Sequence, residues 1–246
     1  MKSPVMKTAL LFAFALPLLA GDLEQFLDPQ LNYTSRNSAC LALRGKTGRE
    51  VVTAMRAALE NTQLQACAGT NLRIAGASVE LLDGLSAPDP SVRAVAAREL
   101  GTMENADFIV PLRKAAEDRD LLVASNAVEG LLRYTDHSTA PQLREIALMG
   151  GVMTTLALDA LISWNDDAVL TIGRALIARA EPGDQLAGIR AIGMTGDDSD
   201  LDKLRELSKN DTALASGGRG FGLMPAISIS RAAQTAIGNI EKRSSK

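Results

Sequence analysis

The sequence predicts an all-α fold: a right-handed α-solenoid of about five helix hairpins that follow an atypical N-terminal helical cap. Three observations support this prediction: a repeated pair of small and aliphatic residues, amphipathic segments that alternate with the repeated ones, and turn residues between consecutive segments. No segment shows the strict alternation of apolar and polar residues that is typical of a half-buried strand. A single hairpin cannot bury its apolar face, so stacked hairpins are the expected architecture.

A small residue followed four positions later by a branched aliphatic recurs along the chain. The intervals between successive pairs are 31, 30, 31 and 45 residues. Residues four apart lie on one face of a helix, where the small side chain lets a neighbouring helix approach and the aliphatic fills the space beside it. The five pairs are Ala96 and Leu100, Ala127 and Leu131, Ala157 and Leu161, Gly188 and Ile192, and Ala233 and Ile237.

Second helices are predicted between the repeated ones. These segments have apolar residues at helical spacing, and Asp, Ser or Pro near their starts satisfies or removes the unpaired amides of a first turn. Asp89-Pro90 and Gly150-Gly151 are among the turns that separate the helices. The second helices are predicted at residues 107–117, 140–148, 166–177 and 200–208, and two earlier helices at 48–60 and 71–82.

One repeated segment resembles a known family. Asp89-Pro-Ser-Val-Arg-Ala-Val-Ala-Ala-Arg-Glu-Leu-Gly101 is similar to the short HEAT-like repeats first described in phycobilisome lyase subunits. The resemblance extends from Ala87 to Ile240, and the repeat array is predicted over residues 87–242. It implies that the second helices form a concave surface. Such repeats occur in many scaffolds, so the resemblance implies protein–protein interaction rather than a particular chemistry.

The first 20 residues have the pattern of a secretory signal peptide. Lys2 and Lys7 precede the apolar stretch 9–20, which ends in the small residue Ala20. This stretch is shorter than the roughly 20 apolar residues of a membrane span. Leu18 stands where a small residue is preferred, so an uncleaved anchor or a buried terminal helix is the alternative. We therefore expect an exported protein, periplasmic or secreted, with no membrane span after cleavage.

Residues 21–86 are predicted to form the N-terminal cap. Cys40 and Cys67 are the only cysteines, and both lie in this segment. In an exported chain a single pair favours a disulfide over a metal or catalytic site. The bridge would close a 28-residue loop, and in the chain-entropy description it stabilises the fold by about 3–4 kcal/mol. Two free buried thiols are the alternative.

Composition argues against nucleic-acid binding. The chain has 26 basic and 29 acidic residues and a net charge of −3. Removal of the first 20 residues leaves 24 basic against 29 acidic residues, a net charge of −5. With 3% aromatic residues, the protein lacks both the basic face and the stacking rings that nucleic-acid binding needs.

The sequence predicts no catalytic, metal or cofactor site. His137 is the only histidine, and no Gly-x-Ser-x-Gly motif is present. His137 and Trp164 are predicted to be ordinary turn residues. Asp198, Asp200 and Asp202 alternate as at the start of a calcium-binding EF-hand loop, but lysines stand where that loop needs its turn glycine and closing glutamate. Capping of the following helix is therefore the prediction for these aspartates.

A glycine-rich insertion at residues 211–226 accounts for the long 45-residue interval. A phosphate-binding glycine loop would follow a strand and end in lysine and a hydroxyl residue, and neither feature is predicted here. The insertion is predicted either to contact a partner, with Arg219 and Phe221 among the contacting residues, or to fold back onto the last hairpin.

Charged residues on the second helices are the best candidates for partner binding. The first hypothesis is an exported scaffold without catalysis that binds an unidentified protein or peptide through its concave helix surface. The alternatives are a bilin-lyase-like subunit that attaches or detaches a chromophore, and a structural subunit of a cell-envelope assembly. The candidate cations are Arg113, Lys114, Arg144, Arg174, Lys203 and Arg205.

Overall fold

The structure is a computed structural model that describes residues 16–134, 137–209, 214–215 and 227–245. Within those residues it is all-α apart from one pair of two-residue strands, as the sequence predicts. The helices are α1 (Leu16–Leu27), α2 (Tyr33–Ala42), α3 (Arg49–Ala58), α4 (Gln65–Ile74), α5 (Ser78–Gly84), α6 (Pro90–Thr102), α7 (Ile109–Ala115), α8 (Leu121–Leu131), α9 (Ala140–Met149), α10 (Val152–Ser163), α11 (Val169–Ile177), α12 (Pro182–Thr195), α13 (Leu201–Ser208) and α14 (Ile229–Ser244).

The predicted second helices correspond to α7, α9, α11 and α13, with starts shifted by up to three residues. Single 3₁₀ turns at Ala106–Phe108 and Asp198–Asp200 precede α7 and α13. The prediction of one helix over 71–82 is wrong. Gly76, with φ of 69°, lies between α4 and α5 and ends the first of them. Glycine adopts this left-handed conformation without the steric cost that other residues meet.

A short strand pair involves the glycine-rich insertion, because its first strand lies within the insertion and its second directly follows it. β1 (Leu214–Ala215) and β2 (Ile227–Ser228) are antiparallel, with Leu214 opposite Ser228. β1 directly precedes the glycine-rich run that begins at residue 216, where the sequence predicts no strand, so the prediction is wrong at this point. Two residues are too few to show the alternating pattern by which a strand is found in a sequence. The rest of the insertion lies outside the described residues.

The chain divides into two compact units between Arg133 and Tyr134. In the first unit the repeat residues Ala96, Leu100, Ala127 and Leu131 are fully buried, as predicted. Helices α6 and α8 pack against each other, and their backbones meet at two glycines that the repeat pattern does not include. A Cβ atom on Gly101 would lie 2.4 Å from the Cα atom of Gly130.

In the second unit, helices α9 to α14 also bury their repeat residues and cross closely at glycines. Its repeat residues are buried except Ile237, which is only partly buried. Ile237 lies on α14, the last helix of the described residues. The closest helix crossing is again at glycines: a Cβ atom on Gly188 would lie 2.7 Å from the carbonyl oxygen of Gly173. Small residues thus set how near adjacent helices come.

The N-terminal cap contains the predicted disulfide. Cys40 on α2 is bonded to Cys67 on α4. Helix α1 spans the predicted cleavage point after Ala20, and cleavage remains a prediction. Among the described residues, none of the helices is both long enough and apolar enough to cross a membrane. The bounds predicted for the cap and the array also remain predictions.

Candidate functional site

The structure places the six candidate cations on the second helices, as predicted. Arg113 and Lys114 lie on α7, Arg144 on α9, Arg174 on α11, and Lys203 and Arg205 on α13. Arg219 and Phe221 lie outside the described residues. The six cations differ in what their side chains contact, and these contacts divide them into two groups.

Arg144 is bound within its own unit. Its Nε and Nη2 donate to the two carboxylate oxygens of Asp166 at 2.9 and 2.8 Å, and Nη2 also donates to Asp167 at 2.7 Å. The Asp166 side chain is buried. Burial raises the pKa of Asp166, but hydrogen bonds from Arg144 and from the Ala168 amide lower it more, so the pKa lies below its ordinary value.

Arg174 has the same arrangement one hairpin later. It donates to both carboxylate oxygens of Asp200, at 2.7 and 3.0 Å, and to the hydroxyl of Ser199. Asp197 and Asp200 form a reciprocal capping box around the 3₁₀ turn before α13. The aspartates were predicted to cap the following helix, but the Asp200 side chain makes no capping hydrogen bond to α13, and the capping box belongs to the 3₁₀ turn.

The arginine–aspartate pair also occurs in the first unit, where Arg93 of α6 donates to Asp118 at 2.7 and 3.0 Å. In all three pairs a helix arginine binds the turn that follows the next helix along the chain. Bidentate pairs of this kind fix geometry as well as charge. Arg144 and Arg174 therefore join neighbouring hairpins, a role that sequence reasoning missed because it treats each charge separately.

Acid is expected to weaken the Arg93–Asp118 pair. The pKa of Asp118 lies below its ordinary value, mainly because Arg93 donates hydrogen bonds to it; burial opposes this shift and the Asp120 amide adds to it. A carboxylate with a lowered folded pKa stabilises the fold above its unfolded pKa of about 3.9, and the contribution is lost as the pH falls through the folded value.

We therefore expect Asp118→Asn to be less stable than the wild type at pH 7 and to lose less stability between pH 5 and pH 3. Urea unfolding at these three pH values measures both effects. Asp83→Asn, at an exposed position of α5, is the control and should follow the wild-type curve. Parallel pH profiles of Asp118→Asn and the wild type would contradict the role given to this pair.

Arg113 is mostly buried and pairs with Glu117 at 2.6 Å, whereas Lys114, Lys203 and Arg205 are held loosely. Lys114 is exposed. Lys203 pairs with Glu206 at 2.8 Å, and Arg205 pairs with Asp202 and Glu241 at 3.3 and 3.6 Å, all through largely exposed side chains. Exposed pairs contribute about 0–1 kcal/mol to stability, so they exchange readily for other partners. Lys114, Lys203 and Arg205 are thus the candidate cations that a partner can reach at little cost.

An apolar groove lies between α12 and α14 in the second unit, and we call it the α12–α14 groove. Its volume is about 250 Å³. Ile189, Gly193 and Ala236 are buried, and a Cβ atom on Gly193 would lie 3.0 Å from the Cβ atom of Ala236, so the two helices touch here. Met194 is 52% exposed beside them. The groove residues are Leu186, Ile189, Arg190, Gly193, Met194, Ala232, Thr235, Ala236 and Asn239.

Polar contacts hold the two sides of the α12–α14 groove in place. Arg243 of α14 donates to the carbonyl oxygens of Gly193 and Gly196, at 2.7 and 2.8 Å. These carbonyls belong to the C-terminal end of α12, where helix carbonyls lack intrahelical partners. Arg190 forms an ion pair with Asp159 of α10 at 2.8 Å. These contacts fix the positions of α14 and α10 against α12 and thereby the shape of the groove. Sequence reasoning missed it, although Gly193 and Ala236 at a helix crossing were the available signal.

His137 and Trp164 contact each other, which their prediction as separate turn residues did not foresee. Their rings are stacked with centroids 4.3 Å apart and an interplanar angle of 14°. His137 and Asn165, the residue after Trp164, both have positive φ. The stack joins the turns before α9 and after α10. No group of histidine, cysteine, aspartate or glutamate in the described part of the chain could hold a metal ion.

Part of the chain is similar to a known family of helical repeats. Residues 78–152 match the family model described as HEAT repeats. The matched segment runs from the start of α5 to the start of α10 and includes the first two small–aliphatic pairs. No curated protein matches the chain. The match supports the prediction that this chain contains HEAT-like repeats.

Proposed function

We propose that the protein is an exported scaffold without catalytic activity that binds another protein through its helical surface. HEAT repeats commonly mediate protein–protein interaction, and stacked helix hairpins present extended surfaces for such contacts. Export is supported by the Cys40–Cys67 disulfide, because disulfides persist mainly in oxidising compartments.

The α12–α14 groove is the observation that carries the proposal. Tight interfaces depend on a few apolar side chains that enter preformed, desolvated pockets. The groove offers such a pocket, with buried Ile189 and Gly193 beside the exposed Met194. We assign to it the main apolar contact with the partner.

The loosely paired cations of the second helices have a different role in this proposal. Charges at the edge of an interface mainly raise the association rate and set its salt dependence. Lys203 and Arg205, in the same unit as the groove, are exposed enough for this role, whereas Arg144 and Arg174 are bound to aspartates of the array. The predicted second-helix surface thus contributes to how fast the partner binds, and the groove to how long it stays.

Site-specific photocrosslinking in the native cell envelope tests the proposal. A crosslinker at position 194 is expected to capture a defined partner protein, whereas one at position 149 is expected not to. Met149 is a matched control because it is also a methionine of the second unit and is 47% exposed, against 52% for Met194. The captured protein is then purified for binding measurements.

Met194→Glu is expected to weaken binding of that partner by about tenfold or more, mainly through faster dissociation. Met149→Glu should leave binding unchanged. Charge reversal of Lys203 and Arg205 should slow association and reduce its salt dependence. Equal effects of Met194→Glu and Met149→Glu would rule out the groove as the contact, and the absence of any captured protein would contradict the scaffold function.

A further inference from the structure

A basic and apolar patch lies on the surface of the first unit, at the turn between α2 and α3. Residues 44–50, which form this turn and begin α3, are all exposed. Leu41, in the last turn of α2, is 46% exposed, and Ile74, the last residue of α4, is 42% exposed. We call Leu41, Arg44, Lys46, Arg49 and Ile74 the α2–α3 patch.

The backbone of the turn brings the apolar and the basic residues of the α2–α3 patch together. The Arg44 amide donates to the carbonyl oxygen of Leu41 at 3.2 Å. Gly45 follows with φ of 76°, and a Cβ atom on it would lie 3.9 Å from Cγ2 of Ile74. The turn therefore begins beside Leu41 and lies against Ile74, with Arg44 and Lys46 directly next to the glycine.

The three cations of the α2–α3 patch have no partner within the described residues. The side chains of Arg44, Lys46 and Arg49 form neither an ion pair nor a hydrogen bond there. Glu50 is the one carboxylate among residues 41–50. Arginines of the array such as Arg93, in contrast, bind aspartates. An anionic ligand of the α2–α3 patch therefore has no internal ion pair to break.

The charge of the α2–α3 patch is opposite to that of the whole chain, which has a net charge of −3. Exposed charges farther apart than about 8 Å are largely screened at physiological salt. The cations of the patch are concentrated within residues 44–49, so a negative surface close to them is attracted by these charges rather than repelled by the net charge. The patch therefore favours one orientation of the protein on such a surface.

The size and composition of the α2–α3 patch favour a membrane over a protein as its partner. A stable protein interface takes about 20–30 residues on each side, far more than this turn and its two apolar neighbours provide. A lipid surface needs no such area or complementary shape. Proteins bind it by placing aliphatic side chains at the boundary of headgroups and acyl chains, while lysine and arginine beside them attract anionic lipids.

We propose that the α2–α3 patch docks the protein on a membrane surface that contains anionic phospholipids. Arg44, Lys46 and Arg49 bind headgroup phosphates, and Leu41 and Ile74 enter the boundary between headgroups and acyl chains. The contact is peripheral and reversible. It is formed by the first unit, whereas the α12–α14 groove belongs to the second, so membrane docking needs no residue of the groove.

Vesicle sedimentation tests the electrostatic part of the proposal. The full chain is mixed with vesicles of phosphatidylglycerol and phosphatidylcholine in equal parts, or of phosphatidylcholine alone. We expect stronger binding to the anionic vesicles, and binding that weakens as salt is added. Arg44→Gln combined with Lys46→Gln should weaken binding to the anionic vesicles by about 25-fold, because each basic residue near an anionic surface contributes about fivefold.

The control combines Arg119→Gln with Arg133→Gln, which removes the same charge at exposed positions of the first unit. It should change vesicle binding by about twofold or less. All variants keep residues 1–20, so a difference between them does not come from that apolar stretch. Equal losses in the two double variants would overturn the role of the α2–α3 patch. Equal binding of the wild type to both kinds of vesicle would overturn membrane docking and leave the patch to an acidic protein.

Tryptophan fluorescence tests whether the apolar residues enter the membrane. Leu41→Trp is made in a Trp164→Phe background, because Trp164 is the only tryptophan of the chain. Anionic vesicles with brominated acyl chains quench a tryptophan that reaches those chains. We expect quenching for Leu41→Trp and none for Val110→Trp, a control at a 73% exposed position of α7 in the same unit. No quenching at position 41, or equal quenching at both positions, would overturn the docking geometry.

Discussion

Replacing Leu131 with alanine is expected to lower the free energy of unfolding of the first unit by about 2–5 kcal/mol. Leu131 lies on α8 and is fully buried at the repeat position where its helix packs into the array. The truncation removes apolar contacts and leaves a cavity that closely packed helices fill only partly. Urea unfolding monitored by circular dichroism measures the loss as a lower midpoint at an unchanged slope.

Leu122→Ala is the matched control, because Leu122 lies on the same helix and is 60% exposed. Its replacement should change the free energy of unfolding by about 0.5 kcal/mol or less, as is usual for surface substitutions. Equal effects of the two substitutions would contradict the assignment of the small–aliphatic pairs to the helix-packing face.

Replacing Asp184 with alanine is expected to lower the free energy of unfolding of the second unit by about 3 kcal/mol. The Asp184 side chain is 7% exposed; its Oδ1 accepts from the Gly151 amide at 2.9 Å and its Oδ2 from Arg179 Nη1 at 3.0 Å. Removal of the carboxylate leaves the Gly151 amide and the Arg179 guanidinium without this partner. We place the effect at the lower end of the range for broken buried pairs because Arg179 is 34% exposed and partly hydrated.

The control for Asp184→Ala is Asp202→Ala. Asp202 also pairs with an arginine, Arg205, but its side chain is 98% exposed. Exposed pairs contribute about 0–1 kcal/mol, so this substitution should have little effect on the unfolding midpoint. A loss of similar size in both variants would show that Asp184 is an ordinary surface charge.

The Asp184 contacts also explain why glycines are needed at the turn between α9 and α10. Gly150-Gly151 was identified as a break between helices, and both residues have positive φ, at 86° and 82°. A Cβ atom on Gly150 would lie 2.5 Å from Arg179 Nη1 and 2.6 Å from Asp184 Oδ2. Glycine is needed here both for the backbone conformation and for the ion pair that packs against the turn.

Much of the local structure follows from residues close together in the chain. The four-residue spacing of Ala127 and Leu131 places both on the buried face of α8. Asp89 caps the start of α6, and Pro90 is its first residue. These features depend on interactions within about one helical turn, which a sequence shows directly. Gly76 was missed as a helix break because an isolated glycine within a helical pattern is often tolerated.

The contacts between neighbouring hairpins could not be predicted from the sequence. Arg144 and Lys114 look alike as cations on second helices, yet Arg144 binds buried Asp166 whereas Lys114 is exposed. Gly101 and Gly130 meet although they are not part of the repeated pair. Which side chains meet depends on the angle and offset at which two helices cross, and these depend on all the side chains between them.

The sequence by itself determined the helical repeats, the face that each repeated helix buries, and the pairing of Cys40 with Cys67, because each depends on local periodicity or on the presence of a single cysteine pair. Only the tertiary structure decided which arginines join neighbouring hairpins, where α12 and α14 leave a groove, and that Asn71 is buried with its amide nitrogen beside the disulfide. Those features arise where segments distant in the chain come into contact, and their geometry depends on the packing of whole helices.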